Sequence, residues 1–321
     1  MIDRTFGESQ YHWLSQISEL RCIRLKLRKR KESKPHFWFI APAVLFVSVF
    51  TLYPAVYGVG LSFTNMHFGY PDYQFVGIDN YIRLFQWRYI WTILKNTAVF
   101  VGAVVFLQMT LGLLTAMALN KKVKGHGIAR TLAILPWTLP AVVVGLMFKQ
   151  MFVGSKLGIA NTVLANLGLE PQAWLTSPTM AMIILIFALT WRGTALSIIL
   201  QLGGLQTIPT ELYEASVIDG ASAWSGFINI TLPLLRPSLL INLIMATAGT
   251  LNHVDIPLSL TAGGPQRATE ILSLTLYKQG FELLDTSFAA TVSTLILAIN
   301  VILTLLYLKL LKPSSTGLSD Q

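Results

Sequence analysis

Residues 211–237 read ELYEASVIDGASAWSGFINITLPLLRP. Three carboxylates, Glu211, Glu214 and Asp219, and the glycines Gly220 and Gly226 stand here between strongly apolar segments. Pro209 suits the first turn of a helix, and Glu211 sits where the N-terminal end of the helix dipole favours negative charge. Leu212, Ala215 and Ser216 then share one face, and Glu211, Glu214 and Ile218 another, by the three- and four-residue spacing of a helix surface. Gly220 falls where a left-handed C-terminal cap is wanted. Ser222 is placed to cap a second helix bearing Trp224, Phe227 and Ile228, and Pro233 and Pro237 mark the entry to the next apolar run. The pattern fits two things equally well. One is a docking element whose small-residue face lets another protein come close; the other is an amphipathic connector lying on a bilayer surface.

Composition gives the setting. Of 321 residues, 53% are hydrophobic and 12% charged, against about 25% charged in soluble domains. An all-α integral membrane protein is expected. About 20 apolar residues cross a hydrocarbon core, and six runs qualify: about 37–63, 89–119, 128–153, 179–203, 231–258 and 287–312. The second is long enough to tilt or protrude. The third contains Pro136 and Pro140, tolerable where neighbouring helices re-satisfy the freed carbonyls. The plan is a basic arm (1–36), a membrane domain (37–312) with one sizeable loop (204–232) on the arm's side, and a short tail (313–321).

Charge orients that plan. The net charge is +9, and Lys and Arg gather in LRCIRLKLRKRKESK (20–34), in NKKVKGHGIAR (120–130) and at Lys309 and Lys312, all on one side of six spans. The loops opposite, NMHFGYPDYQFVGIDNY (65–81) and GSKLGIANTVLANLGLEPQAWLTSP (154–178), are nearly balanced. Both termini and the loop 204–232 are therefore expected in the cytoplasm. Such charge attracts anionic membrane lipid; without interleaved aromatics or a nucleic-acid fold signature, nucleic acid is not an expected partner. The lone Cys22 cannot form an internal disulfide, and its basic neighbours place it in a reducing cytoplasm. The first apolar run exceeds the roughly 7–15-residue core of a signal peptide and lacks an A-x-A site, so it reads as an uncleaved span. Trp13, Ile17, Leu20 and Leu27 have helical spacing in the arm, which fits an interfacial helix or a loosely held basic tail.

Enzymatic signatures are missing. No G-x-x-x-x-G-K-[ST] loop occurs, and LTAGGPQRAT (260–269) has neither its lysine nor its spacing. His12, His36, His67, His126 and His253 show no metal-ligand spacing, and there is no G-x-S-x-G elbow. The sequon at Asn229 lies on the cytoplasmic side and reads as coincidence. No catalytic residue, metal or bound cofactor is expected in this chain, which conducts, transports or scaffolds. Ionisable groups at membrane depth usually mark a pathway. Trp191 and Arg192 in the fourth run, and Asn252, His253 and Asp255 in the fifth, are candidates for contacting a hydroxyl-rich solute. The competing reading is that they satisfy one another or neighbouring carbonyls. Asn96, Gln108 and Tyr53 are weaker candidates and read better as interhelical hydrogen bonds.

A resemblance bears on the loop. Glu214-Ala215-Ser216, three residues, Gly220, nine residues, then Ile230-Thr231-Leu232-Pro233 resembles the EAA signature of binding-protein-dependent ABC importer permeases, E-A-A-x3-G-x9-I-x-L-P. Ser216 replaces the third alanine with another small residue. The resemblance implies a coupling helix that docks on a cytoplasmic ATPase, with Glu214, Ala215, Ser216, Asp219, Gly220, Ile230, Leu232 and Pro233 as the coupling residues. FVGIDNYIRLF (75–85), LNKKVKGHGIARTLAILPWTLPAVVVGLMF (119–148), LQLGGLQTIPTELYEAS (200–216) and LTAGGPQRATEIL (260–272) are similar to sugar-importer permeases of the maltose and glycerol-phosphate type. The Thr261–Thr269 segment resembles the first-named permease of such pairs.

What this implies is a six-span type I ABC importer permease fold in a bacterial cytoplasmic (inner) membrane. It also implies a second homologous permease, an ATPase dimer holding ATP and magnesium, and an extracytoplasmic solute-binding protein received by 65–88 and 260–286. The cargo would be a di- or oligosaccharide. One departure stands out: the family's F-x-x-F-D before T-G-G-P is Leu251-Asn252-His253-Val254-Asp255 here. The acid aligns, but a sugar-stacking role does not carry over to 251 and 254. An ion-coupled secondary transporter, expected to show internal repeats, and a membrane scaffold are the alternatives; no such repeat is visible.

Overall fold

The computed structural model describes residues 35–70, 72–121, 125–155 and 158–311. The arm before residue 35, with its helical reading at Trp13–Leu27, and the tail from residue 312 lie outside the described residues. The architecture is helical throughout: the sole β pairing among the described residues is an isolated antiparallel bridge between Thr64 and Phe75.

Contacts divide the chain at Tyr57/Gly58. The first unit carries most of α1, which runs through Pro35–Val47, a wide π-helical turn at Ser48–Leu52 and Tyr53–Leu61. The second unit holds α2 (Asp79–Gln86), α3 (Ile90–Asn120), α4 (His126–Thr138), α5 (Ala141–Met151), α6 (Ile159–Asn166) and α7 (Pro178–Leu205). It continues with α8 (Thr210–Ile218), α9 (Ala223–Leu251, with a wide turn at Phe227–Thr231), α10 (Asp255–Leu260), α11 (Leu272–Tyr277) and α12 (Thr286–Leu310).

Phe39–Leu61 of α1, together with α3, α7, α9 and α12, are each long and apolar enough to cross a membrane. α4 and α5 qualify only as a pair, and the chain bends by 94° between them. The run 128–153 is thus a broken span rather than a straight one. The cause is local. Pro140 has no N–H to continue the helix and forces the residue before it out of the helical region; Leu139 accordingly has ψ 136°. The run 231–258 also differs: its helix begins at Ala223 and stops at Leu251. Pro257 cannot donate to the carbonyl of His253, so the chain restarts as α10 after a non-helical link. Counted as one, α4 and α5 bring the candidate spans among the described residues to six.

Among lipid tails helices gain nothing from mutual hydrophobicity, so close packing and hydrogen bonds must hold them together. The most extensive helix pair, α3 with α7, shows both. Gly112 of α3 faces Ser197 so closely that an added Cβ would lie 2.7 Å from the serine Cβ, and an added Cβ on Gly193 of α7 would overlap the Gln108 amide. Each close approach is locked from the opposite helix. Gln108 Nε2 donates to Leu189 O and Gln201 Nε2 donates to Met109 O, both at 3.2 Å. α9 joins through Gly204, which admits Ser238 and Leu235, and through a 3.0 Å Ser197–Asn242 hydrogen bond. Two apolar clusters result. A large one gathers Phe100, Val104, Phe148, Leu185, Ile256 and Leu274, and a smaller one Ala116, Leu119, Ile198, Leu202 and Leu235 near α8.

Replacing Gly193 by Val is expected to overpack this seam at a cost of about 1–3 kcal/mol, lowering the unfolding temperature of the detergent-solubilised protein. Gly203→Val serves as control, since nothing lies within 4 Å of its would-be Cβ. Equal unfolding temperatures for the two variants would show that the seam does not depend on glycine.

Candidate functional site

The loop between α7 and α9 forms two short helices at a tight corner. Pro209 stands just outside α8 with φ −60° and ψ 135°, so the helix begins at Thr210. Gly220 takes the left-handed conformation, φ +77°. Ala221 N–H then reaches Ser216 O at 2.9 Å and Gly220 N–H reaches Val217 O at 3.0 Å, which closes the end of α8. The Ser222 hydroxyl accepts from Ser225 N–H at 3.2 Å and starts α9.

No residue of α8 is buried. Val217, Ile218 and Trp224 are 71%, 86% and 69% exposed, so this apolar surface is presented outward. What fixes the helix is Tyr213, whose hydroxyl meets Thr231 Oγ1 at 2.9 Å. Tyr213 and Ile230 also pack against the smaller apolar cluster. The two ends of the signature, Glu214–Gly220 and Ile230–Pro233, are thereby held together. Glu211, Glu214, Ala215, Asp219 and Leu232 remain exposed, while Ser216, Ile230 and Pro233 are half-buried. Ser216 donates its hydroxyl back to Tyr213 O at 2.8 Å.

The other candidate residues lie where the two helix breaks meet. α5 and α10, the elements just beyond the breaks, pack closely on each other, with Gly145 admitting Ser259 and the Ile256 carbonyl. Non-helical backbone is tolerated at membrane depth only inside protein or beside a cavity, and here the loose carbonyls are caught by side chains. Arg192 Nε, from the middle of α7, donates to Leu139 O at 3.2 Å. Ser273 Oγ donates to His253 O at 2.9 Å, replacing the N–H that Pro257 lacks.

Of the five candidates, Arg192 on α7 and His253 and Asp255 at the start of α10 stand on elements that pack against each other. Trp191 lies beside them, its ring 5.8 Å from that of Phe148 on α5. Asn252 turns back and donates to Ala248 O of its own helix at 2.8 Å. His253 Nε2 is enclosed without a hydrogen-bond partner among the described residues. Asp255 is exposed, and no ion pair joins it to Arg192. Asn252, His253 and Asp255 lie just past the end of α9, not within a span as the reading 231–258 has them, whereas Trp191 and Arg192 lie mid-helix in α7. Among the described residues no cluster of His, Cys, Asp or Glu has the form of a metal site.

The weaker candidates have structural partners. Asn96 donates to the carbonyls of Arg267 and Glu270 at 2.9 and 3.2 Å, Gln108 belongs to the α3–α7 seam, and Tyr53 stacks on Tyr57. The Thr261–Thr269 strap is held from within, Thr269 Oγ1 lying 2.8 Å from Thr261 Oγ1 and 2.7 Å from Gly264 O. Arg267 pairs with Glu270 at 3.0 Å and stacks over Tyr89. Tyr213 and Ser273 were missed by the sequence reading, as was the Leu139 carbonyl; only the prolines nearby signal the latter two.

Residues 108–314 match the family model described as binding-protein-dependent transport system inner membrane component. The chain is 35% identical over 281 residues to the trehalose/maltose transport system permease protein MalF of Thermococcus litoralis, covering 88% of this chain and 95% of the relative. It is 37% identical over 275 residues to the lactose transport system permease protein LacF of Rhizobium radiobacter, covering 84% and 91%. Its fold matches a chain in the crystal structure of a bacterial ABC transporter involved in the import of the acidic polysaccharide alginate. That match has TM-score 0.74 at 21% identity, over 87% of this chain and 97% of that one.

Removing either side chain that caps a break should destabilise the protein, because an unpaired buried carbonyl costs about 1–3 kcal/mol. Arg192→Met and Ser273→Ala are each expected to lower the unfolding temperature in detergent, whereas Asn252→Ala, which frees only a carbonyl already used within its helix, changes it little. A null result for both caps would show that water or lipid satisfies the breaks instead.

Proposed function

Because the chain belongs to the binding-protein-dependent transport system inner membrane components, we propose that it is the permease subunit through which an ABC importer carries a di- or oligosaccharide across the cytoplasmic membrane. The names of its relatives support a saccharide cargo. In this reading a second homologous permease completes the translocation pathway, an ATPase dimer supplies ATP and magnesium, and an extracytoplasmic solute-binding protein delivers the solute. The chain itself performs no catalysis.

The observation that carries the proposal is the construction of α8. None of its residues is buried, and it is closed by left-handed Gly220 and attached to α9 by the Tyr213–Thr231 hydrogen bond. The exposed Val217 and Ile218 suit a covering protein, and attachment at the helix base would let that protein move the bundle. Glu214 is exposed for a charge-assisted contact with a basic group on the ATPase. Closure of the ATPase dimer would shift α8, and through it α7 and α9, rocking the paired permeases between inward-open and outward-open states. The basic segments then lie in the cytoplasm with both termini, and the loop 65–88 and strap 260–286 face the binding protein. Trp191, Arg192, Asn252, His253 and Asp255 contribute to the solute pathway between the two breaks.

Gly220→Val is the test. No atom lies within 4 Å of the would-be Cβ, so the substitution acts through the backbone, at about 1–2 kcal/mol for a left-handed residue with a Cβ. The reconstituted variant complex should insert normally yet lose binding-protein-stimulated ATP hydrolysis and uptake. Unimpaired stimulation would sink the coupling role, and uptake that needs no ATP would instead favour an ion-coupled transporter.

A further inference from the structure

A cleft of about 460 Å³ opens between α2 and the start of α12, and no residue of α8 or of the two helix breaks lines it. Its size falls within the range of about 300–1,000 Å³ usual for small-molecule sites. One wall is α2, where Asp79, Arg83 and Gln86 share a face by their spacing of four and three residues. Trp87, just past the end of α2, Gln279 and Phe288 complete the lining. The walls are held from outside the cleft. Asn80, which is buried, donates to Ser62 O and Thr64 O at 2.8 and 2.6 Å, and Leu84 is buried beside it on the helix. Asp285 accepts from Phe288 N–H at 3.1 Å and from Arg83 at 2.8 Å, and its own N–H donates to Gln279 O at 2.9 Å. The Arg83 guanidinium also lies over the Phe288 ring, 4.6 Å from its centre. Little ordering is left for a ligand to impose.

The groups left free in the cleft define what it can hold. Buried Asp285 answers the charge of Arg83 but takes only one end of the fork, so other N–H groups remain. Among the described residues no hydrogen bond or ion pair takes the side chains of Asp79, Gln86 or Gln279. Asp79 stands in the first turn of α2, where the helix dipole favours its negative charge. It accepts only, whereas each glutamine amide both donates and accepts. With Arg83 already paired, the lining is negative and has little to offer an anion. An apolar ligand would strand these polar groups without partners. A polyol meets all of them: its hydroxyls donate to Asp79 and the amide oxygens and accept from the amide and guanidinium N–H groups. The half-buried Trp87 indole gives the C–H face of a sugar ring an apolar surface.

We propose that this cleft is a saccharide subsite on the extracytoplasmic face, where an uncharged sugar released by the solute-binding protein is held before it enters the spans. Asp79, Gln86 and Gln279 bind its hydroxyls and Trp87 supports its ring. The proposal rests on the saccharide cargo and membrane orientation read above, and adds a site outside the spans to the pathway between the breaks.

The test is photolabelling of the assembled permease–ATPase complex in nanodiscs, without binding protein. Diazirine derivatives of lactose and of trehalose are the probes, and mass spectrometry locates the labelled peptides. Label is expected within 79–87 and 279–288, and excess unmodified sugar should displace it. Gln86→Ala combined with Gln279→Ala should cut that labelling about tenfold, as the loss of two hydrogen bonds to the sugar would, and Asp79→Asn should lower it too. Displaceable label confined to other segments, or label at the cleft that neither excess sugar nor the double variant reduces, would overturn the subsite while leaving a saccharide permease intact. Unreduced label together with weaker capture of the binding protein by the double variant would assign the cleft to that protein instead. No sugar-displaceable label anywhere on the permease would overturn the saccharide reading itself.

Discussion

A carbonyl that loses its helical partner inside a membrane has no water to turn to, and this fold is organised around two such carbonyls. Pro140 breaks one helix and Pro257 prevents another from continuing. Leu139 O and His253 O are then taken up by Arg192 and Ser273, from α7 and the start of α11. Each capture ties a broken element to a neighbour. The breaks also meet, because α5 packs on α10. The two breaks thus bring elements bearing a charged fork, an imidazole and a carboxylate against one another. Placing a polar pathway beside such breaks adds little further cost, since the polarity is already needed to satisfy the backbone.

The same logic, applied to side chains, holds the spans around that centre. The α3–α7 seam uses glycine to bring backbones close and glutamine to reach the carbonyls that close approach makes accessible, once from each side. Ser197 links the seam to Asn242 of α9. These bonds are short-range and specific, so α3, α7 and α9 are expected to move as a body. α8 is attached to that body through Tyr213, Thr231 and the smaller apolar cluster, whereas α4 and α5, which also pack on α7, are set at a bend to each other.

Much of this was legible in the residues. Five apolar runs are helices long enough to span a membrane, and the corner at Gly220 and cap at Ser222 follow from residue chemistry that acts within a few positions. The third span was misjudged because hydropathy counts apolar residues without regard to direction: Pro140 looks the same in a kinked span and in one turned through 94°. Pro257 was overlooked for a similar reason, and the fifth run was carried past its true end at Leu251. Arg192 stood out as a charge in an apolar run, but its acceptor is a backbone carbonyl 53 residues away, and every residue has one. Long-range bonds to backbone leave no mark in side-chain patterns. The Tyr213–Thr231 contact hides likewise, since Thr231 occupies a free position of the signature.

The exposed surface of α8 and the enclosed centre place opposite demands on the chain. In the docking role proposed for it, α8 has to be accessible and stiff, which suits short helices, a left-handed glycine and one anchoring hydroxyl pair. In the pathway role proposed for it, the centre has to be polar yet walled from lipid, which suits long spans locked by glycine and glutamine. The two meet in α7: its midpoint supplies Arg192 to the break, its last turns pack on α9 through Gly204, and its end leads through Ile208 into α8. A displacement of α8 would reach the Leu139 carbonyl along a single helix, with the Arg192 guanidinium as its far contact. The hydrogen bond that completes the fold at the centre is thus also the one best placed to feel the loop move.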